Sequence, residues 1–244
     1  MIKKNFDIVF YLTSQKIIAS VFKKKNQDVI FFNTQNCRTI LHEDKPNFYD
    51  IEKYIQQNIF SIEKLTGEFV NDIYLMVWTG DSKTIEVSLM KNIEGNIIDK
   101  KDVQYLVQEA IQQILRFNPD KNIIHIIITK YIIDKKEYKF LPVGLNCKNF
   151  SIDIKFVCFS ETLVRKLNNL FKKNQILINK LVCAQYAKSL DYREKESEGS
   201  ICKLGLQLID GLNKQEVITI PKKVKKKVFL KSFFCYLINF SIFL

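Results

Sequence analysis

The chain has 244 residues, 47% of them apolar and 12% aromatic, so it can bury one or two ordinary cores and is too hydrophobic for a disordered protein. Lys plus Arg is 38 against 26 Asp plus Glu, a formal charge of +12, but six lysines (Lys222, Lys223, Lys225, Lys226, Lys227 and Lys231) fall in one ten-residue window and leave the body near +6. A dispersed excess of that size lacks the basic surface with interleaved aromatics that nucleic-acid binding uses, and no nucleic-acid partner is expected.

The predicted elements run as follows. Residues 6–22 and 28–32 are short apolar stretches around the polar turn Lys23–Gln27, the pattern of a hairpin. A helix follows, capped by Asn47 or Asp50 and carrying Ile51, Tyr54, Ile55, Ile59 and Ile62 until Gly67 stops it. Strands at about 73–78 and 84–90 precede a helix over 100–116. Behind a capping Asp99, that helix aligns Val103, Leu106, Val107, Ala110, Ile111, Ile114 and Leu115 in one apolar stripe, and Pro119 ends it. The β-branched run 123–133 with His125 reads as a buried strand, paired through Asp134-Lys135-Lys136 with 138–141. A strand over 152–159, a helix capped by Ser160, a short strand near 176–178, a helix over 181–190, a charged loop over 191–199 and a strand over 200–209 complete an α/β or α+β body.

No enzyme is indicated by the residues alone. The six cysteines are widely spaced and read as reduced, buried thiols, and no export signal opens the chain. His42 and His125 have no metal-ligand spacing around them, and His125 reads as a hydrogen-bonded core residue. The nucleophile-elbow, Walker and dinucleotide glycine motifs are all absent from the sequence.

The uncharged stretch after Lys231 has 13 residues, too few to cross a bilayer. As a helix, the tail would place Lys223, Lys227, Lys231, Cys235 and Asn239 on a polar stripe and Phe229, Phe233, Phe234, Leu237, Ile238, Phe240 and Phe243 around the rest. That describes a membrane-interface anchor, with Lys222, Lys223, Lys225, Lys226, Lys227 and Lys231 facing anionic lipid and Phe229, Phe233, Phe234 and Leu237 in the acyl boundary. The competing reading is a decayed or frame-shifted end, which an AT-rich gene would also fill with Phe, Lys, Ile and Leu.

Two stretches together resemble the bacterial cell-division protein FtsA, an actin-like protein that tethers the tubulin-like FtsZ ring to the inner membrane. The first runs from Asn47 through Asp50, Ile51, Glu63 and Gly67 to Asp72-Ile73-Tyr74-Leu75-Met76-Val77-Trp78-Thr79-Gly80. The second holds Tyr131-Ile132-Ile133-Asp134, Leu141-Pro142-Val143-Gly144-Leu145, the strand 152–159, and Leu181-Val182-Cys183-Ala184-Gln185-Tyr186-Ala187 with Glu194, Glu196 and Gly199. The resemblance implies an incomplete actin-like lobe, residues 1–80 and 157–199, interrupted by an inserted SHS2-like domain at about 81–156 whose helix is 100–116. Residues 200–221 would begin a second lobe, and 222–244 would be the tail.

The same resemblance locates where nucleotide would sit, and there the sequence departs from the family. The first phosphate turn corresponds to Tyr11-Leu12-Thr13-Ser14 before Lys16, without the aspartate and glycine; the second corresponds to Lys203-Leu204-Gly205. Thr13, Ser14, Lys16 and Gly205 would be a degenerate nucleotide site. The family's ATP and magnesium are therefore not expected as cofactors, nor is ATPase activity. The resemblance implies partners in the division apparatus and self-association through the SHS2-like domain, at the cytoplasmic face of the inner membrane. FtsZ binding is not expected, since the lobe that supplies it is missing. The alternative is a degenerate SHS2-type interaction module in the cytoplasm, without membrane or FtsZ binding.

Overall fold

The computed structural model describes residues 5–37, 47–141, 144–190, 198–221 and 240–243. It is a mixed α/β structure with two principal sheets, divided into two compact units.

The first unit comprises residues 1–85, 114–125 and 156–213. Its five-stranded sheet contains β1 (Phe6–Leu12), β2 (Lys16–Lys23), β3 (Val29–Asn36), β4 (Asp72–Val77) and β9 (Leu177–Cys183), in the order β3-β2-β1-β4-β9. The three N-terminal strands form an antiparallel meander, whereas β4 and β9 run parallel to β1. The predicted single hairpin is thus two hairpins, because Thr13–Gln15 is itself a turn.

Helix α1 (Phe48–Thr66) lies against one face of this sheet together with α3 (Glu161–Lys173). Asn47 is its N-cap, accepting from the amides of Tyr49 and Asp50, and Gly67 at φ 67° closes it with an amide bond to the Glu63 carbonyl. Phe10 of β1 meets Tyr54 of α1 and Phe171 of α3 edge-on, at centroid separations of 6.3 and 5.6 Å. The Tyr54 hydroxyl accepts from the Ala19 amide at 3.1 Å and donates to the Asn33 carbonyl at 2.8 Å, tying α1 to both β2 and β3.

The opposite face is covered by α4 (Ala184–Ser189) and α5 (Glu198–Ile209), over a core of Val9, Ile18, Phe22, Met76, Val182, Cys202, Leu204, Leu206 and Leu208. Two expectations fail here. Residues 181–183 continue β9, so the helix over 181–190 shrinks to α4; and the strand over 200–209 is the helix α5. The alternation of Cys202, Leu204, Leu206 and Leu208 imitates a strand because this helix is buried around most of its circumference. It ends in a Schellman arrangement: Gly211, at φ 93°, donates to the Leu208 carbonyl, and Leu212 donates to that of Gln207.

The second unit comprises residues 86–113, 126–155 and 214–244. Its sheet runs β5 (Lys83–Asn92), β8 (Asn149–Ser160), β6 (Lys121–Ile133) and β7 (Lys136–Tyr138), in the order β5-β8-β6-β7. Asp134 and Lys135, both at positive φ, turn β6 into β7; Lys136, expected in the turn, is already paired with Ile133, so the second strand is 136–138 and not the expected 138–141. Helix α2 (Lys100–Phe117) buries Val103, Leu106, Val107, Ala110, Ile111 and Ile114; Leu115, assigned to the same stripe, is exposed instead, since it lies to one side of the arc that the other six occupy. The helix starts in a reciprocal cap. Asp99 Oδ1 accepts from the amides of Lys101 and Asp102, and Asp102 Oδ2 accepts from the amide of Asp99.

Strands β10 (Ile218–Pro221) and β11 (Phe240–Phe243) pair antiparallel. Phe240 and Phe243 are therefore in a strand, not in the interfacial helix expected from the sequence. Lys222, Lys223, Lys225, Lys226, Lys227, Phe229, Lys231, Phe233, Phe234 and Leu237 lie outside the described residues, as do His42 and Cys235.

Candidate functional site

Because β1, β4 and β9 are parallel, their carboxyl ends gather at one edge of the first unit, the edge where open α/β sheets bind ligands. Three loops meet the criterion: Thr13–Gln15 after β1, Trp78–Ser82 after β4, and the start of α4 after β9.

In the first loop, Thr13 Oγ1 accepts from the Gln15 amide at 3.1 Å and from the Lys16 amide at 2.7 Å, while the Thr13 amide donates to the Lys16 carbonyl at 2.9 Å. A phosphate-binding turn directs such amides outward at the anion. Here two of them are already satisfied by the loop's own threonine, and Lys16 is the first residue of β2, paired with Asn36. Ser14 is half-buried in the turn.

In the second loop, Thr79 is fully buried. Its Oγ1 accepts from the Asp81 amide and its carbonyl from Gln185 Nε2, at 3.1 and 2.6 Å. The Asp81 carboxylate accepts from the hydroxyl and amide of Ser160, whose oxygen in turn caps α3 by accepting from the Leu163 amide. At the third, the Cys183 amide donates to His125 Nε2 at 2.9 Å, and the His125 ring lies 4.6 Å from that of Tyr186. Tyr186 Oη accepts from Asn213 Nδ2 at 2.7 Å.

This network links the ends of β4, β9 and α3 through hydrogen bonds between its own members. His125 is the hydrogen-bonded core residue that the sequence suggested, with its Nε2 lone pair occupied. Burial pushes the Cys183 thiol up from its ordinary value, against hydrogen bonds from Tyr186, Gln185 and Ser82, which leaves it protonated and a poor nucleophile near neutrality. The five described cysteines are buried free thiols. Among the described residues, no group of His, Cys, Asp and Glu could hold a metal ion.

Gly205 is placed away from these loops, inside α5 against β4. A Cβ built on it would lie 2.1 Å from Met76 Sδ, so the absence of a side chain there serves helix–sheet packing. Thr13, Ser14 and Lys16 share one hairpin, and Gly205 is not brought into it.

The second unit has a different character. On β5 and β8, Ser88 bonds Asp153 at 2.5 Å and Lys155 pairs with Glu86 at 3.1 Å, a solvated polar face. Lys91 of β5 reaches Asp102 in the first turn of α2 at 2.6 Å and lies over the Tyr105 ring. Burial acts to raise the Asp102 pKa, but hydrogen bonds from the Asp99 amide and Lys91, with the Lys91 charge, outweigh it and hold the carboxyl below its ordinary value. Met90, Ile97 and Tyr105 are exposed. Helical periodicity had already set Tyr105 off the buried stripe of α2, but it gave no signal for Met90 on β5 or for Ile97.

Comparison with known proteins adds the following. Residues 80–158 match the family model described as the SHS2 domain inserted in FTSA. No curated protein matches the sequence. Among solved structures, the chain is similar to the PilM-PilN type IV pilus biogenesis complex, at 6% identity and a TM-score of 0.47 over 76% of this chain and 48% of that one. It is similar to the cytoplasmic domain of EpsL, an inner membrane component of the type II secretion system of Vibrio cholerae, at 11% identity and a TM-score of 0.36, covering 75% and 57%. A Bacteroides thetaiotaomicron protein with an actin-like ATPase fold and unknown function gives 10% identity and a TM-score of 0.33, covering 76% and 54%. The chain spans about half the length of these structures. Among the described residues, no helix is long and apolar enough to cross a membrane.

Proposed function

We propose that this chain, which carries an SHS2 domain of the FtsA type, is a non-catalytic interaction component of the bacterial division apparatus. The observation that carries the reading is the position of that domain. Residues 80–158 leave the actin-type sheet after β4 and return through α3 to β9, so the match falls inside an interrupted lobe and not at its end.

A role in binding is favoured over chemistry by the loop edge. Two amides of the first loop are satisfied by Thr13, Gly205 packs under Met76, and Thr79, Asp81, Ser160 and Gln185 bond one another. Each of these arrangements supports a scaffold whose polar groups are committed internally. Division-site partners and the cytoplasmic face of the inner membrane are the corresponding partner and location, with the basic and apolar residues of the tail between Lys222 and Leu237 as the anchor of the membrane version.

The test is the position in dividing cells of a fluorescent fusion of the whole chain and of a fusion lacking residues 80–158. A septal band that the deletion abolishes supports the reading. Diffuse fluorescence of both, with the intact fusion present at full length, overturns it.

A further inference from the structure

Strand β6 is 13 residues long, yet β7 covers only Tyr131–Ile133 of it. A second segment reaches β6 nearer its start. The Ile128 amide donates to the Gln215 carbonyl at 2.9 Å, the Val217 amide donates to the Ile126 carbonyl at 2.8 Å, and Ile127 and Glu216 form an antiparallel bridge. Gln215 Nε2 also donates to the Thr129 carbonyl at 3.2 Å, and Val217 is buried. Three residues thus extend the sheet by strand addition, with main-chain bonds supplying attachment and the Gln215 amide and Val217 side chain supplying register.

Two features make this strand exchangeable. Its main chain makes two hydrogen bonds to β6 and the Gln215 side chain adds another, each of a strength that water largely replaces, so its release is a local event and does not require the sheet to open. The chain also passes from one compact unit to the other at 213/214, immediately before the strand. Asn213 is bonded to Tyr186 of the first unit and Gln215 to Thr129 of the second, which leaves Lys214 as the pivot. Short connections of that kind are where copies of a protein trade identical elements.

We propose that Gln215–Val217 is an exchangeable strand, and that the β6 edge at Ile126–Thr129 accepts the same segment from a second copy of this chain. The occupant is identified by chemistry already present: the donors, acceptors and apolar side chain that fit this edge are those of residues 215–217. The proposal stands independently of the division reading.

Cysteine trapping in the full chain tests it. Ile127 and Glu216 are bridge partners, so an Ile127→Cys, Glu216→Cys double variant places two thiols across the strand pair. Oxidised when dilute, it is expected to form an intramolecular disulfide, seen as a faster band on a non-reducing gel. The decisive sample mixes the Ile127→Cys single variant with a differently tagged Glu216→Cys variant at high concentration. A disulfide-linked heterodimer of doubled mass, lost when Val217→Pro is added to the Glu216→Cys chain, is the expected result. No heterodimer while the double variant closes efficiently overturns the proposal. Failure of the double variant to close also overturns it, because the strand would then not occupy β6 at all.

Discussion

Gly205 of α5 and Met76 of β4 are in such close register that a methyl group on the first would overlap the sulfur of the second. Helix propensity alone favours alanine over glycine by about 1 kcal/mol in a helix interior. Packing opposes it, since Met76 is fully buried and has nowhere to retreat without displacing its neighbours. Gly205→Ala is expected to lower stability by about 1–3 kcal/mol in urea unfolding. In a Met76→Ala background, itself costing about 2–5 kcal/mol, the same change becomes neutral or stabilising. A loss of equal size in both backgrounds contradicts the packing role.

Tyr54 carries the link between α1 and the β2–β3 ladder, where its hydroxyl stands between the Ala19 amide and the Asn33 carbonyl. Burial, acting against the Ala19 hydrogen bond, raises the phenol far above its ordinary value and keeps it a donor near neutrality. Tyr54→Phe retains the ring contact with Phe10 and removes both bonds, so a loss of about 1–3 kcal/mol is expected. Ser20 makes the reverse case. Its buried hydroxyl has the Cys202 thiol as its one neighbour of hydrogen-bonding character among the described residues, a weak bond that acts against the burial pushing that thiol up to about 12. Because a thiol is a poor hydrogen-bond partner, Ser20→Ala is expected to change stability by no more than about 1 kcal/mol in either direction, and a larger loss in urea unfolding would contradict so weak a bond.

How much of this was legible in the sequence depended on whether local and tertiary preferences agreed. Asn47 and Gly67 at the ends of α1, Asp99 before α2 and Ser160 before α3 are residues whose capping function is local, and all four cap where the spacing allowed, with Asn47 and not Asp50 as the N-cap of α1. The helix α5 was misread because its alternating Cys202, Leu204, Leu206 and Leu208 are buried by tertiary packing on several sides. Lys203 and Gln207 are four residues apart, and Gly211 follows at a helix-stop spacing; these were the local signals that pointed to helix. The loop edge was legible only through the resemblance. Its defining contacts, Asp81 to Ser160 and Cys183 to His125, join residues 79 and 58 positions apart, beyond any periodicity.

Asp102 sets an acid limit on the second unit. Its carboxyl is held below the ordinary value in the folded chain, whereas the unfolded carboxyl titrates near 3.9, so the folded state binds its proton less readily. The stabilisation is therefore present above about pH 3.9 and is lost as pH falls through the folded value. Asp102→Asn is expected to destabilise the chain near neutrality and to converge on the wild type as pH falls below the folded value. Thermal melts at stepped pH check the sign; a difference that stays constant across the range assigns the effect to packing of the side chain instead.

The hairpin at Thr13 makes the strongest statement about nucleotide. An anion entering this loop would have to compete with Thr13 Oγ1 for the amides of Gln15 and Lys16, and no glycine is present to let the backbone turn outward. Binding to the native state at 100 times Kd would add about 2.7 kcal/mol, a shift in Tm of several degrees. Wild-type protein is expected to show no saturable rise in Tm with millimolar ATP and magnesium. Thr13→Ala is expected to cost about 1 kcal/mol by leaving the turn unclosed, again without creating a nucleotide response. A saturable rise in the wild type would place nucleotide back among the ligands of this edge and would overturn the non-catalytic reading at its first step.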